Sequence, residues 1–361
     1  MIAVLKPTYL CNLRCTYCYL PEQQKSKRHK WSLPFAKKII QDLVDYSRNS
    51  QQDLVIIWHG GEPLLWGEEN FEKILDFIAE KSSHDSIGIR NIIQTNLTLL
   101  TPKYIEIFKK HNAKVSFSID GPQQINDLTR CNKNGDGTYH HIKKNIDMCI
   151  DNGIKLSCVV VGNKNHIGNI NELYSFMNSL GVDSFKLNPI FDNGESSYDS
   201  LGINGDDYAD MLIELFDIWY SDENAKVSET NLVEICSNIL TKKPRACHFK
   251  QNCQREIIAI SPEGEVCPCG RFCEDSEKFS YGNIIDNTLE EILLRQRSSK
   301  LSNRSTVLFN GECSGCKYWS ICHGGCPHDA LSYSHNYLNK TFLCSAYKRL
   351  FAHISSKISN E

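Results

Sequence analysis

Short apolar runs alternate with amphipathic helical stretches over the first half of the chain, and this alternation limits the possible fold more than any other feature. Six runs rich in valine and isoleucine, each bounded by turn residues, lie at 2–5, 54–58, 87–94, 114–119, 154–161 and 183–190. Such runs are typical of strands that are covered on both faces. Helices are predicted between them, near 33–48, 69–81, 102–111, 138–152 and 169–180, with Ser32 and Thr101 as N-caps.

Strands that alternate with helices indicate right-handed βαβ units and a parallel sheet. Six such units in the first 195 residues are too few for a closed eight-unit barrel, so we predict an α/β fold with a partial (β/α)6 barrel. The alternation stops after Pro189, where a long loop at 191–207 precedes helices near 207–220 and 229–240. We therefore divide the chain into a barrel (1–195), a helical bridging region (196–245), a cysteine-rich α+β domain (246–345) and a C-terminal helix or tail (346–361).

Composition narrows the class of protein. The formal net charge of −3 gives no case for a nucleic-acid partner or an acidic membrane surface. No apolar run approaches the roughly 20 residues of a transmembrane helix, and the N-terminus lacks the features of a secretory signal. We therefore expect a cytoplasmic protein, in which the 17 cysteines point to metal or redox chemistry rather than to disulfides.

The stretch "CNLRCTYCYL" places Cys11, Cys15 and Cys18 just after the first predicted strand. In parallel α/β sheets, ligands bind at this carboxyl end of the strands. A zinc site would need a fourth ligand, and the nearest histidine is His29, beyond a polar loop. The other interpretation is a four-iron cluster that is held by three thiolates, with one iron left open.

The Cys-x3-Cys-x2-Cys spacing in a loop after the first strand resembles that of the radical S-adenosylmethionine (SAM) enzymes. In that family the open iron binds SAM, and an electron from the cluster cleaves SAM to a 5′-deoxyadenosyl radical, which abstracts a hydrogen atom. The resemblance covers about residues 2–190 and includes "WHGGEPLL", "QTNLTLL" and "SIDGP", which follow the second, third and fourth strands. It implies a SAM site lined by Tyr17, Gly60, Gly61, Glu62, Asn96, Ser118 and Arg130, with Tyr17 beside the adenine and Arg130 paired with the SAM carboxylate.

A second group of cysteines lies between residues 247 and 344. Its spacing and order resemble the SPASM extension of radical SAM enzymes, which carries two auxiliary [4Fe–4S] clusters. The resemblance implies that Cys247, Cys253, Cys269 and Cys326 hold the first auxiliary cluster, and that Cys313, Cys316, Cys322 and Cys344 hold the second. Three [4Fe–4S] clusters and SAM are then the expected cofactors, although thiolates alone would also permit a pair of zinc sites.

Six cysteines remain outside these sets. Cys267 and Cys273 flank the first auxiliary set and are either spare thiols or replacements for a ligand assigned above. Free cysteine commonly behaves as a small buried hydrophobe. We expect such incidental roles for the remaining four, Cys131, Cys149, Cys158 and Cys236.

SPASM enzymes mostly modify peptides and proteins, so a peptide or protein substrate is expected. In the anaerobic sulfatase maturases an aspartate directly follows the Gly-x4-Cys cysteine and acts as the base, whereas this chain has Gly270 there. Since removal of a proton after hydrogen abstraction needs a positioned base, the sequence favours a maturase that forms a carbon–carbon or thioether cross-link. Formylglycine formation with another base is the alternative, for which Glu274 and Asp275 are weak candidates.

Partners follow from the same resemblance. An external electron donor of the flavodoxin or ferredoxin type is expected. The chain starts ten residues before Cys11, so we expect no peptide-recognition domain ahead of the barrel. Substrate would be bound by the barrel, by the 191–245 segment or by a separate recognition protein. A non-catalytic zinc-dependent scaffold is the alternative from a different class.

Overall fold

The computed structural model describes residues 1–85, 87–190 and 197–358. One nine-stranded sheet organises the chain. Its strands are β1 (Ile2–Leu5), β2 (Leu54–Trp58), β3 (Ile89–Thr95), β4 (Lys114–Ser118), β5 (Leu156–Gly162), β6 (Ser184–Pro189), β7 (Ser228–Glu229), β8 (Ile257–Ile260) and β9 (Val266–Cys267). The first six agree with the predicted runs to within two residues at either end.

The strand order is β7-β6-β5-β4-β3-β2-β1-β8-β9. Neighbours from β7 through β8 are parallel, and only β9 runs antiparallel, against β8. The predicted partial barrel of six strands is confirmed, and the sheet extends beyond it at both edges. Leu5 of β1 lies between Trp58 of β2 and Ile260 of β8, so the cysteine-rich region contributes strands to the same sheet.

Helices cover the sheet where the sequence pattern predicts them. The longer ones are α2 (Leu33–Asn49), α3 (Glu68–Asp85), α4 (Pro102–Lys110), α6 (Tyr139–Asp151), α7 (Ile170–Ser179), α9 (Gly205–Ser221), α10 (Thr230–Thr241), α12 (Leu289–Ser298) and α16 (Cys344–Ile358). The shorter ones are α1 (Glu22–Lys25), α5 (Gln123–Thr129), α8 (Ser197–Leu201), α11 (Ser276–Phe279), α13 (Arg304–Asn310), α14 (Trp319–Cys322) and α15 (Pro327–Ser334). No helix in these described ranges has the length and apolar character to cross a membrane.

The two predicted N-caps are confirmed. The side chain of Ser32 accepts a hydrogen bond from the Phe35 backbone N–H at 3.3 Å, and that of Thr101 accepts one from Tyr104 at 3.3 Å. Each bond satisfies a backbone donor that has no partner inside the helix. Between β1 and β2, α2 then buries the apolar side that its sequence predicts, and Ile39 is fully inaccessible to solvent.

The loop predicted at 191–207 is only partly observable. Residues 191–196 lie outside the described residues, and the remainder was predicted wrongly, because α8 occupies Ser197–Leu201. Next, α9 begins at Gly205 behind a capping box of Asn204 and Asp207. An alternation pattern cannot reveal a helix of five residues, because it spans little more than one turn.

The C-terminal helix α16 packs against the bridging helix α9. His353 of α16 contacts the ring of Phe216 edge-on and lies 2.7 Å from an Asp217 carboxylate oxygen. Arg349 of the same helix pairs with Asp206 at 3.0 Å. The C-terminal helix α16 is thereby fixed to the bridging region.

Candidate active site

Cys11, Cys15 and Cys18 lie together beyond the end of β1. Burial raises the pKa of Cys11 to about 12, and the other two thiols, which lie near it, add to the shift. Burial also raises the pKa of Cys15 to about 11, and the nearby Arg130 cation opposes that shift. The structure therefore gathers the three predicted thiols at the carboxyl end of the sheet, beside a buried arginine.

Gly60 and Gly61 allow the loop after β2 to lie directly against the cysteine loop. Gly61 donates its N–H to the Thr8 carbonyl at 3.0 Å. A Cβ atom on Gly61 would stand 2.1 Å from the Tyr9 carbonyl oxygen, and one on Gly60 would stand 2.2 Å from that of Thr8. Only glycine fits this contact between two backbones.

Glu62 joins the loops that follow β2 and β3. Its fully buried carboxylate accepts hydrogen bonds from the Leu64 N–H (2.9 Å), the Thr95 hydroxyl (2.7 Å) and the Asn96 N–H (2.7 Å). Burial raises its pKa to about 7, and these hydrogen bonds oppose the shift. Protein groups already satisfy the carboxylate, so Glu62 stabilises the loops of the predicted SAM site through internal hydrogen bonds.

Asn96 and Ser118 lie at the carboxyl ends of neighbouring strands, as predicted. The Asn96 amide donates to the side chain of Asn12 at 2.9 Å and approaches the Cys11 sulfur at 3.9 Å. Ser118 accepts a hydrogen bond from Gln94 at 3.3 Å. Asn96 thus connects the end of β3 to the cysteine loop.

The half-buried Tyr17 and the buried Arg130 form a group with Asp120, a residue that sequence reasoning did not select. The Tyr17 hydroxyl donates to Asp120 at 2.6 Å and accepts a hydrogen bond from Arg130, whose guanidinium lies 3.9 Å from the Asp120 carboxylate. The Arg130 Nε is sheltered from solvent and has no hydrogen-bond partner. An unsatisfied guanidinium donor suits the carboxylate that the resemblance places here. The signal for Asp120 was its place in "SIDGP", directly after β4.

The first predicted auxiliary set is brought together from distant parts of the chain. Burial raises the pKa of the Cys253 thiol, and the neighbouring thiols of Cys326, Cys247 and Cys269 add to the shift. Burial raises the pKa of Cys269 to about 11 and that of Cys326 to about 12. These four thiols therefore lie near one another, and their assignment to one cluster stays a prediction.

The second predicted set lines a cavity. Its wall contains Cys313, Cys316, Cys322 and Cys344 together with the rings of Tyr318, Trp319, Tyr347 and Phe351. Burial raises the pKa of Cys322 to about 12, and the other three thiols add to the shift. The donor set of four thiols, with aromatic rings beside it, matches the cysteine ligation of an iron–sulfur cluster.

These groupings are neighbourhoods of thiols, not closed ligand spheres. Among the described residues, no three cysteine, histidine, aspartate or glutamate side chains converge closely enough to hold a single metal ion.

Cys267 and Cys273 form a pair of their own. Both are buried beside Val4, Ala259 and Phe272, and a hydrogen bond between the two thiols is the main reason that the pKa of Cys267 is raised. Of the four cysteines expected to be incidental, Cys149 and Cys158 are buried in the core of the barrel.

The two candidate bases lie in different environments. Asp275 pairs with Lys278 at 2.7 Å, and 44% of its side chain is exposed. Glu274 is more sheltered: one of its carboxylate oxygens is inaccessible and lacks a hydrogen-bond partner, and burial raises its pKa to about 8. Burial is the main reason that the pKa of Tyr19 is raised. Among nearby groups, the Glu274 carboxylate contributes most to this shift, and Cys18 contributes next. Glu274 therefore lies near Tyr19 of the cysteine loop, and its backbone carbonyl accepts a hydrogen bond from Gln24 at 3.2 Å.

Lys6 is a buried cation that the sequence analysis missed. It follows the apolar strand β1, is fully inaccessible, and donates a hydrogen bond to the Gly270 carbonyl at 2.6 Å. Its ammonium group lies 5.3 Å from the centre of the Tyr9 ring and lowers the pKa of Glu274. Lys6 therefore connects the end of β1 to Gly270, the position at which the sulfatase maturases have their aspartate.

Comparison with known protein families identifies two domains. Residues 5–177 match the radical SAM superfamily, and residues 247–326 match the SPASM iron–sulfur cluster-binding domain. The chain thus carries a radical SAM domain followed by a SPASM domain, and it is a radical SAM enzyme.

The similarity to particular proteins extends over nearly the whole chain. It is 28% identical to a cysteine-type anaerobic sulfatase-maturating enzyme of Clostridium novyi, over 97% of this chain and 93% of that protein. It is 24% identical to a serine-type anaerobic sulfatase-maturating enzyme of Bacteroides thetaiotaomicron, over 98% and 89% respectively.

Solved structures confirm the fold. Native anSMEcpe with bound AdoMet superposes with a TM-score of 0.86 at 23% identity, over 99% of this chain and 98% of that one. Streptococcus suis SuiB bound to its precursor peptide SuiA gives a TM-score of 0.67 at 17% identity, over 95% and 75%.

Proposed function

We propose that the protein oxidises a cysteine or serine side chain in a peptide or protein to formylglycine. Similarity to sulfatase-maturating enzymes along nearly the whole chain supports this reaction. The observation that carries the proposal is the sheltered Glu274 carboxylate near the cysteine loop, because it supplies a base that Gly270 cannot. This proposal replaces cross-linking as the first candidate.

The cofactors would be held by the cysteine sets described above. Cys11, Cys15 and Cys18 would hold the SAM cluster, and the two sets of four would hold the auxiliary clusters. When bound, these groups supply a 5′-deoxyadenosyl radical that removes a hydrogen atom and an acceptor for one electron. Arg130, whose buried Nε has no partner, would hold the SAM carboxylate, and the hydrogen bond from the Asn96 N–H to Glu62 would keep the loops after β2 and β3 together.

Glu274 would take the proton from the substrate hydroxyl or thiol. The carbon next to that group first loses a hydrogen atom. Loss of the proton to Glu274 and of one electron to an acceptor then forms the carbon–oxygen or carbon–sulfur double bond. A serine thus becomes formylglycine directly, whereas a cysteine gives a thioaldehyde that water hydrolyses with release of hydrogen sulfide. A carboxylate with a pKa of about 8 is suited to this transfer near neutral pH.

A cross-linking maturase remains the second candidate, because Gly270 stands where sulfatase maturases have their aspartate. A cross-linked product would arise if a second side chain, rather than loss of a proton from oxygen or sulfur, completed the oxidation. An external electron donor of the flavodoxin or ferredoxin type and a separate peptide-recognition protein are proposed partners for either reaction.

The test uses anaerobically reconstituted enzyme with SAM, a reductant and matched peptides that carry cysteine or serine at one position. We expect about 12 irons per chain, since three clusters hold four each, and an aldehyde located by fragmentation mass spectrometry. Glu274→Gln should keep SAM cleavage and lose the aldehyde, whereas the control Asp275→Asn should keep both.

Three results would contradict parts of this proposal. A bond between two side chains would favour the cross-linking candidate. Aldehyde formation by Glu274→Gln at the wild-type rate would exclude Glu274 as the base. Zinc in place of iron would refute the assignment of the cysteine sets to iron–sulfur clusters.

A further inference from the structure

Arg304, the first residue of α13, is a buried cation outside the site described above. Only 6% of the residue is exposed. Its guanidinium donates to the carbonyls of Gly325 (2.8 Å), Gly324 (3.1 Å) and Asn339 (2.8 Å), and its Nε is buried without a partner. No carboxylate within the described ranges forms an ion pair with it. A buried cation without a counter-charge is costly, so a negative group nearby would stabilise it.

The titratable groups that interact with Arg304 are cysteine thiols from both predicted auxiliary sets. Cys326 and Cys253 belong to the first set, and Cys313 and Cys322 belong to the second. Arg304 also donates to the carbonyls of Gly324 and Gly325, which join Cys322 of the second set to Cys326 of the first, so it lies beside the segment that connects the two sets.

The turn beneath Arg304 explains how the two sets come so close. His323, Gly324 and Gly325 have φ angles of 48°, 80° and 73°, three successive residues in the left-handed region. A Cβ atom on Gly324 would lie 2.4 Å from the Leu308 side chain, and one on Gly325 would lie 2.3 Å from that of Thr341. This turn carries the chain from Cys322 of the second set to Cys326 of the first, and its carbonyls point at the guanidinium.

We infer that Arg304 is a shared counter-cation for the two auxiliary clusters and raises the reduction potentials of both. Reduction adds a negative charge to a cluster, and a buried cation stabilises that charge strongly in a low-dielectric interior. Net charge and hydrogen bonding around a cluster are known determinants of its potential. This inference rests on the proposed cysteine assignments and is independent of the substrate.

Arg271 provides a matched control. It is a partly buried arginine whose guanidinium lies 3.7 Å from the Cys326 sulfur. It faces Cys326 and Cys269, both of the first set, and Asp329 neutralises it at 2.7 Å. If any arginine near the thiols changed the cluster potentials in the same way, replacing Arg271 would shift both potentials as much as replacing Arg304.

The experiment is a redox titration followed by electron paramagnetic resonance, in a Cys15→Ala background that removes the signal of the SAM cluster. With about eight irons retained, Arg304→Met should lower both auxiliary midpoint potentials by at least 59 mV, a tenfold change in a one-electron equilibrium. Arg304→Lys should restore most of the loss because it keeps the charge. Arg271→Met should change at most one of the two potentials.

Unchanged potentials in fully loaded Arg304→Met protein would overturn the inference, as would equal shifts from Arg271→Met. If Arg304→Met fails to retain iron, Arg304→Gln keeps an amide donor for the Gly325 carbonyl and is titrated instead. Loss of iron from both Arg304→Gln and Arg304→Lys would overturn the inference in favour of a purely structural clamp. No peptide is present in these measurements, so failure of the proposed oxidation would leave their outcome unaffected.

Discussion

Gly61→Ala tests whether the contact between two backbones positions the SAM cluster. The added Cβ would stand 2.1 Å from the Tyr9 carbonyl oxygen and 2.5 Å from that of Leu10. Restoring ordinary contact at 3.4 Å requires the loop that leads to Cys11 to retreat by about 1.3 Å. Overpacking of this kind costs about 1–3 kcal/mol. A displacement of about 1 Å at a reacting centre can cost about 100-fold in rate.

The assay is formation of 5′-deoxyadenosine from SAM by anaerobically reconstituted protein, with iron measured on the same sample. We expect Gly61→Ala to cleave SAM about 100-fold more slowly, with its auxiliary iron retained. Gly205→Ala is the matched control, since its Cβ would make an ordinary contact of 3.4 Å with the Ser345 hydroxyl. Cleavage by Gly61→Ala at the wild-type rate would refute the argument that this contact fixes the cysteine loop.

Three further changes test other parts of the structure. Cys15→Ala should abolish SAM cleavage and remove about four irons. The control Cys158→Ala, which alters a buried thiol of β5, should do neither. Retained SAM cleavage by Cys15→Ala would refute the assignment of Cys15 as a ligand. A base must be deprotonated, so aldehyde formation, measured by mass spectrometry, should rise as the pH passes through about 8, the pKa of Glu274. Lys6→Met removes a cation that lowers this pKa and should move the profile to higher pH; an unmoved profile would argue against Glu274. Asn204→Ala removes the capping box of α9 and should destabilise the protein by about 1 kcal/mol, seen as a lower urea midpoint of the reconstituted protein; an unchanged midpoint would contradict that role.

The barrel could be read from the sequence because its signals are local. A strand buried on both faces needs a continuous apolar run, and 54–58 corresponds to β2 without error. Ser32 and Thr101 each precede a proline-containing first turn, which is a local N-cap pattern. The cysteine sets were implied by the resemblance to radical SAM and SPASM enzymes, and the thiols of each set lie near one another in the structure.

The parts that were missed depend on residues far apart in the chain. Lys6 meets the Gly270 carbonyl across 264 positions, and no sequence window includes both. The sequence alone indicates a turn residue at Asp120, because its contacts with Tyr17 and Arg130 form only in the folded protein. Arg304 likewise has no local signature, because its role follows from two cysteine sets that meet around it only after folding.

The pairing of β8 with β1 has a consequence for engineering chimeras. From Ile2 opposite Ile257 to Leu5 opposite Ile260, the two predicted domains share one hydrogen-bonded ladder, with no free edge between them. A SPASM region grafted from another enzyme would have to reproduce this register as well as its own cysteines. We therefore expect a chimera of two such enzymes to fold only when β1 and β8 come from the same parent. The crossover points would then be chosen to keep this strand pair intact, and not placed at the domain boundary.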